Sequence, residues 1–390
     1  MKKIKILICF VLLLAIAINI YNSNLASVSA YSTLDDITAK SYVVIDQSGN
    51  ILTEKDSQAK REVASICKLM TTLITLENIE NGSITLDTKF TTSKYASDAE
   101  GSQAFLDAGS SYLVRDLLKT VIIASANDSA IVLAEGIAGS ESNFVQMMNK
   151  RAKELGMKNT LYNNSTGLPA MEQYSTALDT AILLNEISKY DIYQEDCKIW
   201  MDKLIHPSGR ETELVNTNRL IKYYEYCNTG KTGFTDEAGY CLSSTATKND
   251  LKLTCVVLGC SSSANRFKES IELYNYCYAN FKNDKVLGAE NDIENSIKVV
   301  YGKKENIRLR PAYDFYFTQS VSDHKDVKIK LDIPSVINAP IMENETIGNA
   351  LIIVNGAVIA EIPVLASESI EKQGYKDILF KIVENFELFR

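Results

Sequence analysis

The chain has 390 residues, of which 46% are hydrophobic and 23% charged, a composition that excludes a disordered or fibrous protein and suggests two or three domains. It has 41 basic and 49 acidic residues and no cluster of Lys and Arg. Nucleic acid is therefore a poor candidate partner, because such binding depends on neutralising phosphates.

The first thirty residues have the layout of a secretory signal peptide. Three lysines precede an apolar run from Ile6 to Ile18, and a small polar stretch ends at Ala30. The apolar run is shorter than the roughly 20 residues of a membrane span. We therefore predict cleavage after Ala30 and an exported protein, whose net charge becomes −11 once three of the 41 basic residues and none of the 49 acidic ones are lost.

The cysteines indicate buried apolar side chains. Of the eight, Cys9 leaves with the signal, and the remaining odd number contains no Cys-x-x-Cys pair. This pattern argues against a disulfide framework and against a zinc site. Cys241 and Cys255 lie in strand-like runs, where a free thiol packs as a small hydrophobe.

The elements predicted in chain order begin with a hairpin at 42–53. Helical periodicity then predicts helices that start at Ser65, near Leu113, near Ile131 and near Phe144, in an all-helical region. Strand signals return after Lys231, with a hairpin at 240–258, and a helix follows at 264–281. Strand, helices, strands and helix give an α+β domain, predicted to span residues 31–285.

The remaining residues predict a second, smaller domain. The polar stretch 282–295 is predicted as a linker, and β-forming runs at 297–301, 327–333 and 350–359 predict a small all-β, sandwich-like domain over 296–366. Residues 371–390 place an apolar face on a terminal amphipathic helix, which either packs on its own protein or lies in a membrane interface.

Ser65 and Lys68 form a Ser-x-x-Lys motif at a predicted helix start. Side chains three positions apart on a helix lie on one face, so the hydroxyl and the amine can form a hydrogen bond. The helix N-terminus adds positive potential, which suits a nucleophile with its own base. Taken alone, a helix cap followed by a solvated lysine has the same pattern.

Two further motifs follow. Ser125-Ala126-Asn127 comes directly after an apolar helix, where a serine can pass a proton and an asparagine can orient an amide, although an N-cap fits equally well. Lys231-Thr232-Gly233 begins a strand run, where a lysine and a hydroxyl can hold a carboxylate, although a turn into a hairpin is the alternative.

The order of Ser-x-x-Lys, Ser-x-Asn and Lys-Thr-Gly is typical of penicillin-binding proteins and class A β-lactamases. Along nearly its whole length, including 100–102, 144–167 and 231–240, the chain resembles the low-molecular-mass D-Ala-D-Ala carboxypeptidases. The resemblance implies a penicillin-binding/serine β-lactamase-like transpeptidase fold, with an antiparallel sheet and a helical region, followed by the all-β domain.

The resemblance also implies an acyl-enzyme mechanism without metal or cofactor. Ser65 attacks the carbonyl between two D-alanines, Lys68 accepts its proton, and Ser125 relays a proton to the leaving D-alanine. Backbone N–H groups of Ser65 and Phe234 form the oxyanion hole. The residues implied in substrate binding are Asn127, Lys231, Thr232, Gly233 and Arg219. Burial beside the second cation, Lys231, is expected to lower the pKa of Lys68.

The implied partners are peptidoglycan stem peptides ending in D-Ala-D-Ala, and β-lactams as covalent inhibitors. The activity limits cross-linking and remodels the cell wall at the extracytoplasmic face of the bacterial membrane. In the family the C-terminal helix is a membrane anchor, which favours anchoring over packing here.

Two positions depart from the family pattern. Cys67 replaces a Thr or other small residue, and Thr166-Gly167 replaces His-Gly. Both changes are expected to affect the pocket.

Three alternatives are weaker. A His-dependent hydrolase has only His206 and His324 to draw on. A class A β-lactamase needs a Glu-x-x-Leu-Asn string between the second and third motifs, and the nearest string, Ala181 to Asn185, begins with alanine. A non-catalytic peptidoglycan-binding scaffold is disfavoured because all three motifs are intact.

Overall fold

The computed structural model describes residues 34–323 and 325–387. The predicted signal peptide and its cleavage site lie outside the described residues, as does His324. The chain forms two compact units. The first runs through residue 247 and includes 252–279, and the second contains 248–251 and the residues from 280 onward.

A five-stranded sheet forms the centre of the first unit, in the order β2, β1, β9, β8, β7. Because β1 pairs with β9, with Val44 opposite Cys255, the two ends of this unit close one sheet. The predicted hairpins at 42–53 and 240–258 are confirmed by these neighbours. The strand bounds are Ser41–Asp46 (β1), Ile51–Lys55 (β2), Cys227–Thr235 (β7), Gly239–Lys248 (β8) and Leu251–Cys260 (β9).

Helices make up most of the chain between the two hairpins, and one more helix follows the second hairpin. The four helices predicted there and the helix at 264–281 are confirmed. The bounds are Lys68–Glu80 (α1), Lys94–Ser97 (α2), Val114–Ile123 (α3), Asn127–Ala138 (α4), Glu141–Glu154 (α5), Ala177–Ile187 (α6), Asp191–Lys198 (α7), Leu220–Tyr223 (α8) and Ser263–Asn280 (α9). Short 3-10 helices lie at Leu34–Asp36 and Ala64–Cys67.

Helix α1 lies in the middle of the core. Its first nine residues, from Lys68 to Leu76, are all buried. A helix buried on every side belongs to the interior of a large domain. The Ser-x-x-Lys motif at its start is therefore held by the core and not by a surface loop.

The prediction of an all-helical region is wrong in two places. Strand β3 (Lys89–Thr91) pairs with β4 (Ser111–Leu113), and β5 (Met201–Ile205) pairs with β6 (Glu211–Val215). The first pair joins three-residue strands about 20 positions apart, too short to leave an alternating pattern in the sequence.

The second unit contains the predicted all-β domain. Six strands form a sheet in the order β14, β16, β17, β12, β11, β15, and β10 pairs with β13. The bounds are Phe281–Leu287 (β10), Ile293–Val300 (β11), Asn306–Pro311 (β12), Phe315–Ser320 (β13), Val327–Asp332 (β14), Val336–Asn338 (β15), Thr346–Val354 (β16) and Ala357–Ala366 (β17).

The stretch 282–295 is not a linker without structure. It contains most of β10 and the beginning of β11. Most residues of β10 are half-buried and only Lys285 is exposed; Lys285 pairs with Asp314 and Lys282 with Asp284. Composition predicted a linker because most residues of this stretch are polar and show no apolar periodicity.

The chain ends with α10, from Tyr375 to Glu387. Tyr375 is 83% exposed and Phe380 71%, and Ile378, Leu379 and Ile382 are also exposed. Within the described residues, no helix is both long and apolar enough to cross a membrane.

The cysteines are buried, as predicted. Six of the seven described cysteines are buried, and Cys227 is half-buried. Burial raises the pKa of the Cys241 thiol to about 11 and that of Cys67 to about 12. These thiols are therefore protonated and unreactive at neutral pH.

Candidate active site

Ser65 and Lys68 are in contact. Ser65 lies in the 3-10 helix Ala64–Cys67, and α1 begins at Lys68, three residues later than predicted. Lys68 Nζ donates to Ser65 Oγ at 3.0 Å and to the carbonyl oxygen of Thr166 at 2.6 Å. The lysine is fully buried, and Ser65 Oγ is the hydroxyl that its amine contacts.

Two residues of the site have a strained backbone conformation. Ala64, just before Ser65, has φ 48° and Ser125 has φ 64°, the left-handed region that side chains other than glycine rarely adopt. Such strain persists only where the surrounding structure holds it, and it clusters at functional sites.

The segment 164–167 forms one wall beside Lys68. Gly167 has φ 79°, and a Cβ atom there would lie 1.9 Å from the carbonyl oxygen of Ala64. The Asn164 side chain accepts from the Gly167 N–H at 2.7 Å, and Thr71 Oγ1 donates to the Ser165 carbonyl at 2.6 Å. The absence of a side chain at Gly167 lets this wall approach the nucleophile.

The second and third motifs meet on the other side. Lys231 Nζ donates to Ser125 Oγ at 2.6 Å and to the Thr232 carbonyl at 3.0 Å. Ser125 does not cap α4, because the N-cap is Ala126, which makes no side-chain cap hydrogen bond. The N-cap alternative for Ser125 is therefore wrong.

Asn127 and Asp128 hold the loop 99–107 against the site. Asn127 Nδ2 donates to the Glu100 carbonyl at 2.5 Å, and the Asn127 backbone N–H donates to the Ser102 carbonyl at 2.7 Å. The Asp128 carboxylate accepts from the Ala104 and Leu106 N–H groups, each at 3.0 Å. Asn127 Oδ1 is buried and has no hydrogen-bond partner among the described residues.

Lys231, Thr232 and Gly233 lie inside β7 and not at its beginning. A Cβ atom on Gly233 would lie 2.5 Å from the Val63 carbonyl oxygen, so this glycine lets β7 pack against the turn that carries Ser65. Phe234 is 48% exposed and stacks on Tyr240 with 4.4 Å between ring centres.

An arginine that the sequence analysis did not select lies beside this strand. Arg266, in α9, donates from Nη1 to the Gly233 carbonyl at 3.1 Å. Arg219 is exposed, and no side-chain hydrogen bond joins it to β7 in the part of the chain that the structure describes. The two arginines line one cavity of about 620 Å³, hereafter the Arg219–Arg266 cavity.

Comparison with known proteins decides the family. Residues 26–262 match the model of the D-alanyl-D-alanine carboxypeptidases of peptidase family S11, and residues 281–372 match that of the penicillin-binding protein 5 C-terminal domain. The chain belongs to the S11 D-alanyl-D-alanine carboxypeptidases.

The relatives cover almost all of this S11 chain. It is 36% identical to D-alanyl-D-alanine carboxypeptidase DacF of Bacillus subtilis over 90% of this chain and 91% of that one. Penicillin binding protein 5 from Haemophilus influenzae is 30% identical with a TM-score of 0.68, covering 86% of this chain and 98% of the other. PBP3 from Streptococcus pneumoniae, a peptidoglycan synthesis regulatory factor, is 27% identical with a TM-score of 0.74, and the match covers 86% of this chain and 100% of the other.

The two buried lysines of this S11 carboxypeptidase have lowered pKa values. Burial lowers the pKa of Lys68 to about 7. Burial also holds the pKa of Lys231 well below its usual range, and the charges of Lys68 and Arg266 lower it further. The lowering predicted for Lys68 is present, and burial is its cause. The predicted repulsion between the two cations acts at Lys231 instead, where the charge of Lys68 lowers the pKa.

The two departures from the family pattern have structural contacts. Cys67 Sγ donates to the Asn164 carbonyl at 3.3 Å. The Thr166 hydroxyl donates to Asn164 Oδ1 at 3.1 Å, whereas Lys68 contacts the backbone carbonyl of Thr166. The contact to Lys68 is thus independent of the side chain at position 166.

His206 lies away from Ser65 and Lys68. It is buried in the turn after β5, with hydrogen bonds of 2.8 Å to the Tyr112 hydroxyl and to Thr212 Oγ1.

Arg266 was missed because no motif contains it. Its position in the first turn of the predicted helix 264–281, directly after the hairpin that follows Lys-Thr-Gly, is the only signal for it in the sequence.

Proposed function

We propose that this protein removes the terminal D-alanine from peptidoglycan stem peptides ending in D-Ala-D-Ala, through an acyl-enzyme on Ser65. The observation that carries the proposal is the 3.0 Å contact between Ser65 Oγ and the fully buried amine of Lys68. A neutral amine at that distance is a base for the hydroxyl.

In the acylation step, Ser65 Oγ attacks the carbonyl carbon of the D-Ala-D-Ala peptide bond and its proton passes to Lys68 Nζ. The C–N bond then breaks as the proton held by Lys68 passes through the Ser125 hydroxyl to the leaving amine, which leaves Lys68 neutral again; the Ser125 hydroxyl contacts Lys231 at 2.6 Å. Water then attacks the Ser65 ester, and its proton returns to the Ser65 oxygen as the shortened stem peptide is released.

Six groups are proposed to bind the substrate around this bond. The unpartnered Asn127 Oδ1 accepts from a substrate amide N–H, which supplies the hydrogen bond that this buried oxygen lacks. The N–H groups of Ser65 and Phe234 stabilise the oxyanion. The Thr232 hydroxyl and Lys231 hold the terminal carboxylate, and Arg266 adds positive charge beside β7.

Carboxylate binding is proposed to activate Lys68. An anion beside Lys231 favours the charged form of that lysine. The charge on Lys231 in turn disfavours protonation of Lys68, because the two amines repel one another when both are charged. A substrate with a free C-terminal carboxylate therefore keeps its own general base neutral.

The α10 helix is proposed to lie in the interface of the bacterial membrane at its extracytoplasmic face, after export directed by residues 1–30. Its exposed apolar residues support this, since Ile378, Leu379, Phe380 and Ile382 all face solvent. The boundaries 31–285 and 296–366 remain predictions for the catalytic and the C-terminal β domain.

D-alanine release from a purified pentapeptide by residues 31–390 tests the proposed function. We expect release by the wild-type chain and none by the Ser65→Ala variant. Penicillin turnover is measured alongside, and rapid turnover of penicillin without D-alanine release would identify a β-lactamase instead.

A further inference from the structure

Hydrogen bonds join the lining of the Arg219–Arg266 cavity to two segments of the site. Thr217, one of its lining residues, donates from its N–H to the carbonyl of Ile123 at 3.2 Å, two residues before Ser125. On the opposite wall, Arg266 donates to Gly233 in β7. The lining residues of the cavity are therefore hydrogen-bonded to the segment that leads into Ser125 and to the strand that carries Lys231.

The cavity is much larger than the terminal residue of the proposed substrate requires. Its volume of about 620 Å³ lies within the roughly 300–1,000 Å³ of small-molecule sites, whereas the side chain of D-alanine is one methyl group. Space remains beyond the terminal carboxylate for a longer side chain.

Positive charge surrounds this space. Arg219 and Arg266 line the cavity, and no acidic residue lines it. Lys222 Nζ lies 4.9 Å from the Trp200 ring centre and 5.7 Å from that of Tyr223, which form an aromatic wall of the cavity. In the described chain none of these three cations forms an ion pair, although the protein has a net charge of −8.

One of these cations has an unused donor. Arg266 Nε is buried and has no hydrogen-bond partner among the described residues. A buried donor without a partner loses its hydration and gains nothing in exchange.

The charges select the chemistry of the ligand. The substrate carboxylate accounts for Lys231, Thr232 and Arg266, and leaves Arg219 and Lys222 for a second anionic group. The aromatic wall suits methylene groups next to that anion, because Trp200 and Tyr223 pack edge to face at 6.4 Å and Lys222 already lies over both rings. An aromatic ligand would have to displace Lys222.

We propose that the Arg219–Arg266 cavity is a specificity subsite that accepts the side chain of the terminal D-residue and selects an acidic one, of the size of D-glutamate. This inference rests on the proposed carboxypeptidase function. It adds a substrate class, peptides ending in D-Ala-D-Glu, to those ending in D-Ala-D-Ala.

The test compares kcat/KM of the chain 31–390 for diacetyl-L-Lys-D-Ala-D-Xaa peptides with D-Ala, D-Glu, D-Gln, D-Lys or D-Phe at the end. We expect about tenfold higher kcat/KM for D-Glu than for the isosteric D-Gln, and the lowest value for D-Lys. The preference for D-Glu should decrease as salt increases, because these cations are partly exposed. Equal values for D-Glu and D-Gln, or a higher value for D-Phe, would overturn the proposal.

Variants assign the preference to the cavity. Arg219→Gln and Lys222→Gln should each lower the D-Glu to D-Gln ratio severalfold, and Arg219→Lys should retain most of it. Lys153→Gln, on the exposed face of α5, is the matched control and should leave the ratio unchanged. Labelled penicillin gives the folded, active fraction of each variant. An unchanged ratio in Arg219→Gln and Lys222→Gln would contradict the proposal.

The two proposals fail in different ways. If the D-Ala peptide is hydrolysed but D-Glu has no advantage over D-Gln, the subsite is wrong and the carboxypeptidase function stands. If no peptide of the series is hydrolysed, the proposed function itself is wrong.

Discussion

At the scale of single residues, the reactivity of Ser65 depends on the protonation of Lys68. A solvated lysine has a pKa of about 10.4 and is almost entirely charged at neutral pH. Burial lowers the pKa of Lys68 to about 7, which makes a large fraction of the amine neutral where the protein works. The same burial keeps solvent away from the lone pair of the neutral Lys68 amine.

The first prediction concerns pH. The base must be neutral to accept the Ser65 proton, so the rate constant for acylation by penicillin should rise with pH through about 7 and level off above it. Stopped-flow acylation measured from pH 5 to 9 checks this. A rate that is independent of pH between 6 and 8 would contradict the role of Lys68.

The second prediction replaces the base. Lys68→Arg keeps a donor to Thr166 but stays protonated, so acylation by penicillin should slow by about 10²–10⁴-fold, the usual contribution of a general base. Lys153→Arg is the control and should acylate at the wild-type rate. Normal acylation of Lys68→Arg would show that another group accepts the proton.

The motifs identified the side chains of the site from the sequence, but not their contacts. The spacing of Ser65 and Lys68 predicted a hydrogen bond, because residues three apart share one helix face. The Thr166 carbonyl and Arg266 could not be found this way, since a backbone acceptor carries no residue signature and an isolated arginine belongs to no motif.

At the scale of elements, the wall 164–167 determines where Ser65 lies. Gly167 is required both by its φ of 79° and by the Ala64 carbonyl, which a Cβ atom would approach to 1.9 Å. The clash involves backbone on both sides, so it is relieved only if the wall or the turn that carries Ser65 moves.

The third prediction is that Gly167→Ala lowers the free energy of unfolding by at least about 2–3 kcal/mol and slows acylation of Ser65. Gly156→Ala is the matched control. Gly156 has nearly the same φ, 76°, but has nothing within 4 Å of an added Cβ, so it should lose only about 1 kcal/mol. Equal losses in urea unfolding would contradict the steric role of Gly167.

The fourth prediction concerns the loop 99–107, which Asp128 holds by hydrogen bonds to Ala104 and Leu106. In Asp128→Asn an N–H group must face a backbone N–H, so we expect a loss of about 2–3 kcal/mol in unfolding free energy and a raised KM. Asp98→Asn, at an exposed ion pair with Lys94, should lose less than about 1 kcal/mol. An unchanged KM in Asp128→Asn would show that the loop does not position Asn127.

Elements with local signals were predictable and those without were not. The hairpins and the helices α1, α3, α4, α5 and α9 follow from the periodicity of their own residues. The pair β3–β4 and the ribbon strand β10 were missed, because each is short or polar and is specified by a partner far along the chain.

At the scale of the whole molecule, the site is assembled from segments that lie far apart in the sequence. Ser65, Ser125, Thr166 and Lys231 come from four separate segments. Lys68 contacts both Ser65 and Thr166, and Lys231 contacts Ser125, through hydrogen bonds of 2.6–3.0 Å. Three motifs in the right order predicted this assembly only through the family resemblance.

The fifth prediction separates catalysis from membrane attachment. Deleting residues 375–390 should leave kcat/KM for a soluble peptide unchanged and abolish cosedimentation with anionic lipid vesicles, because the exposed apolar face of α10 is removed. Full vesicle binding by the truncated chain would place membrane attachment elsewhere in the protein.

Mass spectrometry of the intact chain and of its proteolytic peptides after brief exposure to labelled penicillin tests the central claim most directly. We predict one adduct per chain, on the peptide that contains Ser65, and none in Ser65→Ala. An adduct on any other residue, or no adduct in a chain that releases D-alanine, would contradict the acyl-enzyme mechanism.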